Sequence, residues 1–137
     1  MSTPSALIAD DHGDSATIFR EALTLAGFAV EIVHSGGAAL AHLEKATPAL
    51  LILDLCLPQV DGVEILKRIR ADERLAGIYV IVISADPALA GTTLALADRV
   101  VVKPIGFRWL RDLAVELVEQ WKPDGRSERD RGSVTPS

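Results

Sequence analysis

The segment Ala49-Leu50-Leu51-Ile52-Leu53-Asp54 is a continuous apolar run closed by a carboxylate. A strand with one wet face alternates apolar and polar residues; an unbroken run of this length marks a strand covered on both faces, as in a parallel sheet. Four further runs lie outward from it: Phe28 to Val33 and Ala6 to Ala9 before it, Ile78 to Ile83 and Val100 to Val102 after it. Stretches with helical period separate all five. Five strands alternating with helices require βαβ crossovers, which predicts an α/β fold with a doubly wound, five-stranded parallel sheet and helices on both faces.

The first helix is expected over Ser15 to Ala26, packing Ile18, Phe19, Ala22, Leu23 and Ala26. The second spans Gly36 to Lys45 with Leu40 and Leu43 on one side. The third, Val63 to Arg70, turns Val63, Leu66 and Ile69 inward and leaves Glu64, Lys67, Arg68 and Arg70 for solvent. Gly27 and Gly77 fall where a left-handed residue ends a helix. The fourth helix, Pro87 to Ala97, carries Gly91, Thr92 and Thr93 in its middle, which propagate helix poorly, so it is expected to be short or ordered only on binding. In the last, Leu110, Leu113, Ala114, Leu117, Val118 and Trp121 follow the spacing of a packed face. One domain over residues 1–122 and a disordered C-terminal tail over 123–137 complete the organisation.

Composition limits the function classes. The chain has 137 residues, 49% of them hydrophobic and 24% charged, with 19 acidic against 14 basic residues and a net charge of −5. That balance is globular, and no basic cluster offers a nucleic-acid surface. No apolar run approaches a membrane span, and no secretory signal opens the chain. The single cysteine, Cys56, forms no internal disulfide, which suits a reducing, cytoplasmic setting.

In an open parallel sheet the functional crevice lies at the carboxyl ends of the strands. Those ends carry Asp10-Asp11, Asp54, Ser84 and Lys103-Pro104. Singly each reads blandly: Asp11 or Asp14 caps the first helix, Asp54 turns, Ser84 caps, and Lys103 sits in a loop. Together they do not. Three crowded aspartates raise one another's pKa, a conflict that a hard divalent cation with oxygen ligands relieves, and Mg²⁺ suits that donor set. With Lys103 able to hold a phosphoryl oxygen, the set is built for phosphoryl transfer through an aspartyl phosphate.

Leu53-Asp54-Leu55-Cys56-Leu57-Pro58-Gln59-Val60-Asp61-Gly62-Val63-Glu64 resembles the phosphoacceptor segment of two-component response regulator receiver domains. Asp10-Asp11, Ser84-Ala85 and Lys103-Pro104 are similar to that family's other motifs and come in its order; Gly36 to Leu40 resembles the start of its second helix. The likeness runs from about Ala6 to Trp121. It implies a flavodoxin-like (βα)₅ fold with strand order 2-1-3-4-5. It implies that Asp54 accepts a phosphoryl group from a phosphohistidine on a sensor histidine kinase or histidine phosphotransfer protein. By the same resemblance Asp11, Asp54 and the Cys56 backbone carbonyl hold Mg²⁺, with Asp10 acting through water. Lys103 and Ser84 bind phosphoryl oxygens, Ala85 leaves clearance, and a cis peptide precedes Pro104. The signal is read on the face of the fourth helix, fifth strand and fifth helix by a downstream protein not identifiable from the sequence. The chain would then be a bacterial signalling switch, not a metabolic enzyme, catalysing only its own phosphorylation and dephosphorylation.

Departures from the family bear on output. Many receivers carry Tyr or Phe three residues before the lysine; here that place is Val100, stiff at χ1 and without a ring to rotate. The Ser84-to-Lys103 spacing is a few residues short. Asp86 either influences water access to the site or caps the fourth helix ahead of Pro87. His12, His34 and His42 are expected to be structural. Trp109 shares its helical face with Asp112 and Glu116, and is either a lone exposed aromatic or a contact anchor for a kinase or a second copy in a homodimer. Two alternatives stand beside the switch: a phosphorylation-independent pseudo-receiver interaction module, and an aspartyl-phosphate phosphatase. The phosphatase usually needs a second acid two residues past the nucleophile, where this chain has Cys56. No effector domain is recognisable, so output is expected through a partner, a phosphorelay or a larger protein.

Overall fold

The computed structural model describes residues 3–122. Its elements alternate: β1 Ser5–Ala9, α1 Gly13–Ala26, β2 Ala29–Val33, α2 Gly36–Lys45, β3 Leu50–Asp54, α3 Gly62–Ala71, β4 Tyr79–Ser84, α4 Pro87–Gly91, β5 Arg99–Val102 and α5 Phe107–Gln120. The strands form one parallel sheet, as the βαβ pattern predicts, in the order β2-β1-β3-β4-β5 that the family resemblance implies. The tail expected over 123–137 lies outside the described residues.

The continuous apolar runs fill both sides of the sheet. Leu7, Ala9, Leu51, Leu53, Val80 and Val82 face α2 and α3, packing with Ala39, Leu43, Ile65, Leu66 and Ile69. Their neighbours Ala6, Ile8, Leu50, Ile52, Ile81 and Ile83 face α1 and α5, packing with Phe19, Leu23, Leu110, Leu113 and Ala114. The central strand β3 is buried along its whole length. Fully burying one Leu or Ile is worth about 1.5–3 kcal/mol, so this strand anchors both cores.

Several local expectations need correcting. Ile18 is 46% exposed, not packed, because α1 buries only the stripe of Ala16, Phe19, Ala22 and Leu23. In α3 the inward residue is Ile65 beside Leu66 and Ile69, with Val63 only partly covered. Gly27 ends α1 at φ 117°, and its N–H bonds the carbonyls of Leu23 and Thr24. Gly77 has no such φ; α3 ends at an extended Asp72, and the following turn is held by Leu75 and Ala76 N–H bonds to the Asp72 carbonyl.

Arg70 is the largest departure. Expected in solvent, it lies half-buried, with Nε on the Leu96 carbonyl at 2.6 Å and Nη1 on the Ala76 and Ile78 carbonyls at 2.9 Å each. Its Nη2 meets Asp98 Oδ2 at 2.9 Å. Asp98 in turn accepts the Val80 N–H, so this guanidinium ties α3 to the lead-in of both β4 and β5.

The fourth helix is a five-residue turn of helix, continued by bonds from Thr92, Thr93 and Leu94 to the carbonyls of Leu89, Ala90 and Gly91. Thr93 is fully buried and returns its hydroxyl to the Ala90 carbonyl. The short helix is thus a folded element, and the glycine and threonines shorten it as their propensities predict.

Candidate functional site

Asp10 follows β1 directly, and its N–H bonds the Val33 carbonyl, extending the ladder to β2 by one residue. That places its carboxyl in the crevice above β1, fully buried. Asp54 closes β3 and is 1% exposed; Ser84 closes β4, fully buried. Lys103 follows β5, its N–H on the Ser84 carbonyl at 2.8 Å, with a cis peptide to Pro104. The parallel topology therefore gathers all the strand-end residues at one sheet edge.

Both oxygens of Asp54 are held. The Cys56 N–H donates to Oδ1 at 2.9 Å, and the Lys103 ammonium donates to Oδ2 at 2.9 Å. Burial alone would lower the Lys103 pKa, but its bond to Asp54 and the charges of Asp54, Asp10 and Asp11 outweigh it and hold the ammonium above its ordinary value. Asp10 is raised for the opposite balance. Its desolvation by burial exceeds the stabilising bond from the His12 N–H, with the Asp54 charge adding to the rise. Among the described residues its Oδ2 is the only buried side-chain oxygen or nitrogen without a hydrogen-bond partner.

His12 corrects the reading of the three histidines as structural. Its N–H bonds Asp10 Oδ1 at 2.8 Å, so the chain folds back and brings the ring over the carboxylates. Nδ1 stands 3.2 Å from Asp10 Oδ1, 3.1 Å from Asp11 Oδ1 and 3.7 Å from Asp54 Oδ2. One ligand atom each from Asp10, Asp11, His12 and Asp54 lies within 4.8 Å of the others. His12 is also the N-cap of α1, but its side chain makes no capping bond; neither Asp11 nor Asp14 caps that helix. His34 reaches the site's backbone only, with Nδ1 3.1 Å from the Asp10 carbonyl.

Ser84 is turned to its own loop. Its hydroxyl accepts the Asp86 N–H at 3.0 Å and donates to the Asp86 carbonyl at 3.2 Å. Asp86 itself caps α4 through the N–H groups of Ala88 and Leu89, so the capping reading holds. Cys56 is exposed. Val100 packs half-buried in the cluster that includes Leu89, Leu96 and Ala97.

The pattern of the family described as "Response regulator receiver domain" matches residues 6–115. The chain belongs to the response regulator receiver family. Among its relatives, the "Probable methanogenesis regulatory protein FilR2" of Methanothrix harundinacea is 31% identical over 132 residues, covering 88% of this chain and 85% of that protein. The transcriptional regulatory protein PrrA of Mycobacterium leprae is 32% identical over 106 residues, but those span 76% of this receiver and 45% of PrrA. A solved CheY-like response regulator receiver domain from Methylobacillus flagellatus superposes with a TM-score of 0.74 at 27% identity, covering 85% of this chain and 99% of that one. Membership makes this chain a receiver domain of two-component response regulators. No described helix is long and apolar enough to cross a membrane.

Proposed function

We propose that the chain is a phosphorylation switch in which Asp54 takes a phosphoryl group from the phosphohistidine of a sensor kinase or phosphotransfer protein. The observation that carries this reading is the buried Asp54 carboxylate, gripped by Lys103 and the Cys56 N–H beside the unpartnered Asp10 Oδ2. An Asp54 oxygen attacks phosphorus as the P–N bond to the donor imidazole breaks, and the imidazole leaves with the bonding pair. Lys103, already 2.9 Å from Asp54, passes to a phosphoryl oxygen and neutralises it.

The donor set fits Mg²⁺: oxygen atoms predominate, one of them buried and unpartnered, and the carboxylates are too close to remain mutually uncompensated. Asp11, Asp54 and the Cys56 carbonyl would hold the ion, with Asp10 acting through water. When bound it supplies charge neutralisation for the phosphoryl oxygens.

The switch begins at Ser84. To bond a phosphoryl oxygen its hydroxyl must leave the Asp86 backbone, and Asp86 caps α4. Rearrangement at Ser84 therefore loosens or re-seats the α4 N-terminus, changing the α4-β5-α5 face that a downstream protein reads. Val100 offers no ring to report the change, so the signal runs through this backbone link. The partner, the cytoplasmic setting and bacterial two-component context belong to this same reading.

Incubation with Mg²⁺ and phosphoramidate, followed by intact mass measurement, tests it. One added phosphoryl group that is lost in Asp54→Asn is expected. No addition to the folded wild-type chain overturns the switch in favour of a phosphorylation-independent interaction module, and multiple turnover with phosphate release points to a phosphatase.

A further inference from the structure

We propose that His12 Nδ1 is a fourth donor of the acidic site, so that the site takes a borderline divalent transition ion of the zinc class more tightly than Mg²⁺. The inference rests on the phosphoacceptor reading of the site and assigns it a metal preference.

Three observations converge. The first is spacing. Neighbouring ligand atoms around a small divalent ion at about 2.0–2.1 Å stand about 3 Å apart. His12 Nδ1 lies 3.1 Å and 3.2 Å from an oxygen of Asp11 and of Asp10, with Asp54 Oδ2 at 3.7 Å. The ring nitrogen and the carboxylates thus already keep the separations of donors sharing one ion. A single ring N–H satisfies at most one of these oxygens well.

The second is the buried, unpartnered Asp10 Oδ2, a polar atom with no claim on it from the rest of the described protein. The third is how the ring is held. The His12 N–H is fixed on Asp10 Oδ1, and the His12 side chain takes no part in capping α1. The imidazole is therefore presented to the carboxylates by the backbone, while its side chain remains 60% exposed to incoming ions.

Ligand chemistry then decides the ion. Carboxylate and water donors suit Mg²⁺, whereas imidazole suits Zn²⁺ and its neighbours, which bind a given nitrogen–oxygen set more tightly. An all-oxygen site at this sheet edge suits Mg²⁺; one imidazole adds a donor that the transition ion uses and Mg²⁺ does not.

The test uses the full chain and two metals in a non-coordinating buffer. Calorimetric titration of the wild type, His12→Ala and a His34→Ala/His42→Ala control with Zn²⁺ and separately with Mg²⁺ gives the affinities. Long-range ¹H–¹⁵N spectra of the imidazoles report the ligating nitrogen. The expected result is one Zn²⁺ bound more tightly than Mg²⁺, an affinity loss of about tenfold or more for Zn²⁺ in His12→Ala, and less than about a twofold change for Mg²⁺. The His12 Nδ1 resonance should move on adding Zn²⁺ and stay in place with Mg²⁺. Zn²⁺ affinity that survives His12→Ala, or is lost in the His34/His42 control, overturns the proposal. So does an equal loss for both ions. These outcomes are separate from those of the switch itself: phosphoramidate labelling of Asp54 that proceeds while Zn²⁺ ignores His12 removes only the metal preference. Zn²⁺ bound through His12 with no labelling of Asp54 removes only the switch.

Discussion

At the scale of single residues, the site stores its tension in Asp10. Its carboxyl is fully buried, one oxygen lacks a partner, and its pKa is raised chiefly by burial, with Asp54 contributing. A carboxyl whose folded-state pKa lies above its ordinary 3.8 binds its proton more tightly folded than unfolded. Its contribution to stability is therefore favourable at low pH and is lost as pH rises from about 4 through the raised value. Asp10→Asn should stabilise the chain in EDTA at pH 7 by on the order of 1–3 kcal/mol, the cost of an unsatisfied buried group. The gain should shrink as pH falls toward 4. Urea midpoints of the two proteins across that range check it; equal midpoints at pH 7 would mean that the carboxylate is already compensated. The strand-end residues Asp10, Asp11, Asp54, Ser84 and Lys103 were legible in the sequence because topology alone puts strand ends together. His12 was not. Its role depends on a backbone turn closed by its own N–H on Asp10 Oδ1, and a histidine next to two aspartates carries no sign of which way the ring faces. An Asp two residues ahead of the histidine, able to accept its N–H, was the available signal.

Elements were legible to the extent that period and burial agree. The five apolar runs, all but the Glu31-broken second one continuous, found their strands within a residue or so, and α2 its limits, because each is fixed by its own composition. Arg70 escaped for the converse reason. Its partners Ala76, Ile78, Leu96 and Asp98 lie up to 28 residues away, and a helical arginine beside Lys67 and Arg68 reads as solvent-facing until the chain is folded. This guanidinium compensates for the weak fourth helix. With α4 only five residues long, the segment from Thr92 to Asp98 depends on buried Thr93 at one end and on Arg70 at the other. Arg70→Ala leaves three carbonyls and the Asp98 carboxylate without this donor, and should destabilise the fold by about 3–5 kcal/mol, the usual cost of breaking a half-buried or buried ion pair. Amide exchange should accelerate first over Leu94 to Asp98, ahead of the β3 core. Uniform acceleration through the whole chain would instead show that the segment opens only with global unfolding.

For the molecule as a whole, the question is which face carries the signal outward. Besides Val115 on α5, the α4 region, β5 and α5 expose Leu94 at 68%, Val102 at 41% and Trp109 at 40%. Single exposed apolar groups are ordinary on a protein surface. These three, however, sit on consecutive elements around the sheet edge, and β5 is an edge strand with one side of its ladder unpaired. Trp109 is also excluded from the α5 core by helical geometry: Leu110, Leu113 and Ala114 occupy the packed stripe, and Asp112 and Glu116 flank the tryptophan's side. A buried tryptophan at an interface commonly carries 2 kcal/mol or more, about thirtyfold in affinity. If the face linked to Ser84 through Asp86 and α4 is the one that partners read, Trp109→Ala should weaken association of the phosphorylated chain, with a second copy or with its downstream protein, by about tenfold or more. Phosphoramidate labelling of Asp54 should be unaffected, since Trp109 touches none of the site. Leu25→Ala, at an exposed position on α1, should leave the association in place. Sedimentation velocity with and without phosphoramidate measures all three proteins under one condition. Association that is lost in Leu25→Ala and kept in Trp109→Ala would move the reading face to α1, and the Ser84–Asp86 link would then lose its part in transmission.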